Sequence, residues 1–285
     1  MQITFIEILK AILFGIVEGV TEWLPISSTG HMILLNEFVK LDVSPEFWNL
    51  FLVVIQLGAI LAVVVLFFPR LWPFHRTDAR EIGVFRVLDR EKITMWCKIL
   101  ISCVPAIVIG LPLDDWLEEH FYNYPTVAAM LILYGILFIV VENRNAGKLA
   151  KVRDIGDITW KMALLVGVFQ VLALIPGTSR SGATILGGLL LGMSRKTASE
   201  YTFFLAVPVM IGASLLKLVK FGFHFTGYEA ALLILGMVTA FVVSVVVIRF
   251  LLQYIRKHDF KVFGYYRIVL GIVVLCVFFA QMFMA

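Results

Sequence analysis

Charge is what this chain has least of. Only 15% of its 285 residues are Asp, Glu, Lys or Arg, while 61% are hydrophobic and the mean hydropathy is +0.96. That balance lies far outside the range of a water-soluble globular domain. No polar stretch runs beyond about 20 residues, so none is long enough to fold as a soluble domain of its own. Cysteine is scarce as well. Cys97, Cys103 and Cys276 lie inside apolar segments at no metal-ligand spacing, which excludes a disulfide framework or a zinc site and predicts small buried hydrophobes. The first apolar run carries Glu7 and Lys10 and shows no small-residue cleavage site, so no removed signal peptide is expected. The net charge of +4 is spread over several loops without interleaved aromatics, which gives no ground for nucleic acid as a partner. What remains is an all-α polytopic membrane protein, one integral domain over 1–285 with short loops.

Apolar runs of spanning length, roughly 20 residues, occur at about 47–69, 93–113, 124–142, 199–221, 228–252 and 263–283. Two further regions, 4–40 and 160–195, differ: each holds an apolar helix, a Pro/Ser/Gly-rich break (PISSTG, PGTSRSG) and a second apolar piece of about 10 residues, too short to cross. Basic residues gather at Arg70, Arg76, Arg80, Arg86, Arg90 and Lys92, at Arg144, Lys148, Lys151, Arg153 and Lys161, and at Arg256, Lys257 and Lys261. These mark cytoplasmic loops, and the acidic loop DDWLEEH, 114–120, then faces out. Counting crossings from those assignments leaves region 160–195 with both ends inside and region 4–40 with both ends outside. Both must be re-entrant, entering from opposite faces so that their tips can meet near the midplane. Both termini fall on the outer side.

The tips SSTG (27–30) and SRSG (179–182) are 152 residues apart, and each opens a unit of one broken hairpin and three spans. Three spans per unit is odd, so the second copy (about 160–285) is inverted relative to the first (about 1–143). In that plan, sites form near the midplane at broken helices.

Within this apolar chain the stretch EGVTEWLPISSTGH, 18–31, is conspicuously polar. A charge at membrane depth costs about 2.5 to 3.5 kcal/mol, so Glu18, Glu22 and Arg180 together oppose insertion by roughly 10 kcal/mol unless something offsets them. Glu18 and Glu22 share a helical face and repel; a cation or a shared proton relieves them. Pro25 is expected to end the first helix, with Ser27, Ser28 or Thr29 capping the next, whose free N–H groups make an anion site. His31 lies one turn past Ser28, near enough for an imidazole to activate a hydroxyl. In the second tip Gly177 permits a turn, Ser179, Ser181 and Thr184 offer hydroxyls, and Arg180 presents a planar fork to phosphate oxygens or pairs with Glu22. Gln56 and Gln170 divide evenly between packing and site roles. Glu142 and Glu200 suit helix ends at the interface, and Gly187, Gly188 and Gly192 suit close helix packing. Carboxylates, a serine and histidine, and an arginine with hydroxyls at one depth are the parts of a phosphoryl-transfer site whose substrate has a phosphate head and a lipid tail.

At these residues the sequence resembles the undecaprenyl-diphosphate phosphatase family, also called bacitracin-resistance proteins. The family's E-x-x-x-E element reads EGVTE at 18–22, and its P-G-x-S-R-S-x-x-T element reads PGTSRSGAT at 176–184, with SSTGH at 27–31 between them. The order of segments matches from about residue 5 to 283. The resemblance implies an enzyme of the bacterial inner membrane that hydrolyses undecaprenyl diphosphate to undecaprenyl phosphate and phosphate, recycling the lipid carrier of cell-wall synthesis and conferring bacitracin resistance. It also implies a divalent cation, Mg²⁺ or Ca²⁺, and a homodimer. By the same resemblance Glu18 and Glu22 are metal ligands or base, Ser28 is the nucleophile and His31 its proton-transfer partner. Ser179, Arg180 and Thr184 form the diphosphate cradle. The competing reading is a transporter or flippase for a phosphorylated lipid, since inverted repeats with broken helices are also transporter architecture.

Overall fold

The structure, a computed structural model, describes residues 4–74, 87–222 and 224–284. Arg76, Arg80 and Arg86 of the first basic cluster lie outside the described residues.

The described residues are mostly helical. The helices are α1 (Phe5–Thr21), α2 (Ser28–Phe38), α3 (Pro45–Leu66), a single turn α4 (Phe68–Leu71), α5 (Arg90–Phe121), α6 (Tyr124–Asn145), α7 (Trp160–Val171), α8 (Arg180–Leu190), α9 (Arg195–Phe221), α10 (Gly227–Tyr254) and α11 (Lys261–Met284). Among the described residues six of these, α3, α5, α6, α9, α10 and α11, are long and apolar enough to cross a membrane. They coincide with the six spans expected from the sequence. The two short pieces are also present: α2 and α8 have 11 residues each.

Local chemistry sets most of the boundaries. Hydroxyl or amide side chains cap the first turns at Thr4, Ser44, Asn123, Thr159, Ser194 and Thr226, the last with Glu229 completing a reciprocal capping box. Pro105 and Pro112 sit inside α5 and Pro208 inside α9, each removing one backbone donor from its helix.

Two expected boundaries move. The acidic stretch 114–120 is not a loop, because α5 continues through it to Phe121. Residues such as Leu117 and Glu119 are good helix formers, so the helix outlasts its apolar part. The first helix also ends at Thr21, four residues before Pro25. A proline ring collides with the carbonyl four residues upstream, which is that of Thr21 here and of Leu172, just past α7, for Pro176.

The helices pack in close pairs. α1 lies on α10 and α7 lies on α5, while α3 packs on both α9 and α10 and α6 on α11. Close approaches mark several of these pairs. A Cβ on Gly15 would sit 2.7 Å from Gly236 O, and one on Gly167, 152 residues later, 2.4 Å from Ser102 O. Gly135 and Gly264 face each other across α6 and α11, each 2.7 Å from the other's carbonyl oxygen by the same measure. Large apolar side chains cover much of the exposed surface along the spans, with Leu100, Val104, Ile107, Val108 and Leu111 of α5 all exposed. Two of the three cysteines belong to that surface: Cys103 is buried as expected, but Cys97 and Cys276 are exposed, since their helices turn those positions away from the bundle.

Candidate active site

Both helix breaks close with the same device. In the first tip Ser27 takes φ of 73° and its hydroxyl accepts from Gly30 N–H at 3.3 Å. In the second Ser179 takes φ of 71° and accepts from Gly182 N–H at 3.1 Å. Gly177 has φ of 92°, and a Cβ there would sit 2.5 Å from Val127 O, so glycine alone fits this turn.

The tips meet inside the bundle. Glu22, 5% exposed, divides its carboxylate: Oε1 accepts from Arg180 Nη2 at 2.9 Å and Oε2 from the Ser28 hydroxyl at 2.9 Å. Ser181 donates its hydroxyl to Glu22 O at 3.0 Å, and Arg180 Nη1 donates to Thr202 O at 3.1 Å. Two buried polar atoms here have no protein partner, Arg180 Nε and Glu18 Oε1. One is a donor and the other an acceptor. Leaving either unsatisfied costs about 1 to 3 kcal/mol or more, so each has capacity for a further partner.

Beside them lies a cavity of about 260 Å³ lined by Glu18, Ser28, Thr29, Asn49, Gln56 and, toward the ends of α5 and α9, Leu117, Tyr122 and Lys217. Apolar walls are added by Met32, Leu52, Val53, Ala173, Leu174 and Pro176.

The structure brings together Glu18, Glu22, Ser28, Thr29, Arg180 and Ser181. It does not pair His31 with Ser28. His31 Nδ1 lies 2.7 Å from Ser27 O and therefore donates to it, which leaves Nε2, 2.7 Å from Tyr266 Oη, to accept from the phenol in the neutral ring. The Ser28 hydroxyl faces Glu22 instead, because the bend at Ser27 swings the start of α2 back toward the end of α1. Ser179 is engaged in capping. Thr184 donates to Arg180 O at 2.9 Å and accepts from Thr202 Oγ1 at 2.9 Å, so it braces Arg180 from behind.

Of the other polar candidates, Gln56 lines the cavity, whereas Gln170, 152 residues after Glu18, is buried with both side-chain polar atoms unpartnered. Glu142 and Glu200 do stand near helix ends but are buried and ion-paired, with Arg195 and Arg70 respectively. Gly187 and Gly188 pack against Phe169 and Ala198. Gly192 differs: it has φ of 88° and no neighbour within 3.5 Å of a Cβ, so its role is conformational.

Arg267 is the residue that sequence reasoning passed over. It is fully buried on α11 and donates to Pro25 O at 3.1 Å in the first tip and to Gly177 O and Thr178 O at 2.9 Å each in the second. Its guanidinium also lies 5.5 Å from the centroid of Tyr134. One side chain thus holds the backbones of both tips. The available signal was a lone charge inside an apolar span.

Comparison with known proteins adds a family context. A family model described as bacitracin resistance protein BacA matches residues 11–273. The undecaprenyl-diphosphatase of Desulfitobacterium hafniense is 61% identical over 277 residues, covering 97% of this chain and 98% of that protein. That of Lachnoclostridium phytofermentans is 60% identical over 270 residues, with 95% and 96% covered. An undecaprenyl-diphosphatase of Enterococcus faecalis is 56% identical over 277 residues, with 97% and 99% covered.

Proposed function

Because the chain belongs to the bacitracin resistance protein BacA family, we infer that it hydrolyses undecaprenyl diphosphate to undecaprenyl phosphate and inorganic phosphate, a phosphoanhydride hydrolysis that recycles the carrier lipid of the bacterial cell wall. The observation that carries this reading for the chain's own residues is the divided carboxylate of Glu22, with a hydroxyl on one oxygen and a phosphate-type clamp on the other.

In this reading the terminal phosphate enters the cavity and takes the donors of Arg180, including the unpartnered Nε. Glu22 Oε2 receives the Ser28 proton, the hydroxyl oxygen forms a bond to the terminal phosphorus, and the bond from that phosphorus to the bridging oxygen breaks. Undecaprenyl phosphate leaves, and water then releases phosphate from the serine. The alternative course, in which Glu22 takes the proton of an attacking water, differs in giving no phosphoserine. His31, held by Ser27 O and Tyr266, serves the proton traffic and not the activation of Ser28.

A divalent cation completes the proposal. Among the described residues no three His, Cys, Asp or Glu side chains form a metal-binding group. The available donors are Glu18 Oε1, Glu22 and the neutral oxygens of Ser28, Thr29 and Gln56. Such a hard oxygen set suits an ion that takes its remaining ligands from substrate phosphates and water. Bound there, it would neutralise charge on the diphosphate.

The inverted repeat and the re-entrant hairpins belong to the same proposal. They are supported by the pairing of α1 with α10 and α7 with α5. The cavity's outer residues come from the beginning of α3 and the ends of α5 and α9, opposite the ends bearing the Arg144–Lys151 and Arg256–Lys261 clusters. Charge bias therefore favours an opening on the outer face, the side that also takes both termini. The homodimer implied by the resemblance is tested by light scattering in detergent.

Phosphate release from a polyprenyl diphosphate by the purified chain with Mg²⁺ or Ca²⁺ tests the function. Glu22→Gln and Arg180→Ala should abolish release in folded protein, and full activity in both would sink the proposal. Trapping a phosphorylated Ser28 would decide between the two courses. Lipid redistribution in liposomes without phosphate formed would favour the flippase instead.

A further inference from the structure

At the other end of α9 lies a second, larger cavity of about 510 Å³ that the reaction does not use. It is walled by the last turn of α6, the segment 146–151, the end of α8 and the start of α9. Along α9 its Arg195 stands about 33 Å from Lys217 of the reaction cavity.

Five cations line it, Arg144, Lys148, Lys151, Arg195 and Lys196, against the single carboxylate of Glu142. That carboxylate is already satisfied. Arg195 grips it through Nε at 2.9 Å and Nη2 at 2.6 Å, and Phe260 N–H donates to it at 3.0 Å. Lys196 shares Glu200 with Arg70. Among the described residues Arg144, Lys148 and Lys151 make no ion pair, so the cavity is left with an excess of positive charge.

Helix stability does not account for this arrangement. Arg195 and Lys196 occupy the first turn of α9, where the helix end is itself partly positive and a cation is unfavourable. An anion in the cavity would reverse that cost. A positive-inside bias accounts for Arg144, Lys148 and Lys151 as charges of a loop region, but not for their gathering with Arg195 and Lys196 around one cavity.

Beside these charges and the polar Asn145 and Ser194, the lining holds the apolar Leu189, Leu190, Leu191, Met193 and Ile255, with Leu149, 82% exposed, at the rim. Cations beside exposed leucines at the end of a spanning bundle match a ligand that is phosphate at one end and hydrocarbon at the other. We propose that this cavity binds the headgroup of an anionic membrane phospholipid, with Arg144, Lys148 and Lys151 on its phosphate and the leucines against its acyl chains. Inorganic phosphate would meet the same cations but leave the leucines uncovered.

Native mass spectrometry of the purified full chain with added phosphatidylglycerol or phosphatidylcholine tests this. Wild type should retain phosphatidylglycerol in preference to phosphatidylcholine. Each cation near a membrane surface contributes about fivefold in affinity, so Arg144→Gln/Lys148→Gln/Lys151→Gln should weaken retention roughly 100-fold and the exposed single change Lys148→Gln about fivefold. The single variant keeps the test decisive if the triple one is unstable. Phosphate release in detergent should be unchanged in both. Arg256→Gln/Lys257→Gln, which removes two exposed cations outside the cavity, should retain lipid as wild type does. Undiminished retention in Lys148→Gln, an equal loss in the Arg256/Lys257 variant, or equal uptake of phosphatidylcholine would overturn the proposal. So would inorganic phosphate that displaces the lipid at equal concentration, which would assign the cavity to a soluble anion.

Discussion

Ser27 and Ser179, 152 residues apart, are the only non-glycine residues with positive φ among the described residues, at 73° and 71°, and each caps the short helix that follows it. The same strained capping residue recurs in both tips because each tip must turn the chain within a few residues and still satisfy the first amides of a buried helix. Ser27→Ala loses the cap and keeps the strain, which should cost about 1 to 2 kcal/mol. Ser27→Gly loses the cap and relieves the strain, which should cost only a few tenths. Thermal unfolding in detergent should therefore rank wild type, then Gly, then Ala; the reverse order of the two variants would show that the hydroxyl and the backbone angle are unrelated.

The fork of Arg180 reaches Glu22 with one nitrogen and Thr202 O with another. A lysine ammonium cannot reproduce that planar geometry. Arg180→Lys should keep the fold yet lower kcat roughly 100-fold or more, the usual scale for losing one preorganised charge donor. Retention of more than a tenth of the wild-type rate would mean that charge alone suffices.

Tyr266 holds the outer nitrogen of His31. Tyr266→Phe should lower kcat roughly tenfold with KM little changed, a part of the 100-fold or larger effect that a positioned proton carrier has. His31→Ala in the Tyr266→Phe background should add less than it does alone, because the two act as one unit. Additive losses would separate them.

Glu18 carries an unpartnered buried oxygen at the cavity wall. A chelator should stop phosphate release, and Glu18→Gln should raise the cation concentration needed for half-maximal rate roughly tenfold or more. Release that is insensitive to chelator would remove the cation from the proposal.

Gly135 and Gly264 allow α6 and α11 to touch backbone to backbone. Gly135→Ala should lower stability by about 1 to 3 kcal/mol through overpacking, whereas Gly212→Ala, which meets nothing within 4 Å, should leave it unchanged or raised. Melting temperatures of the two variants compare them directly.

Much of this was readable from residue types. The six spans followed from runs of apolar residues, and the two tips from prolines and hydroxyls that interrupt such runs. The pairing of Glu22 with Arg180 was one of two readings open for that arginine, beside a fork for phosphate, since either charge alone at depth is costly. What escaped depended on backbone direction. Spacing along a helix placed His31 beside Ser28, but the positive φ of Ser27 aims Ser28 at Glu22. Arg267 hid in an apolar span because its partners are carbonyls, which every residue has and no sequence pattern marks. The persistence of α5 through 114–120 escaped for a related reason: polarity was read as loop, although polar residues continue a helix readily once it has begun.

The ion pair at the centre of the site draws Glu22 from the first half of the chain and Arg180 from the second. The stretch 146–159 between α6 and α7 is the only covalent tie between those halves. Were it cut, each fragment would carry its own hairpin and three spans but only one side of the pair. Activity would then cease to be proportional to the amount of a single polypeptide and become a second-order property, rising with the product of two concentrations in the same membrane.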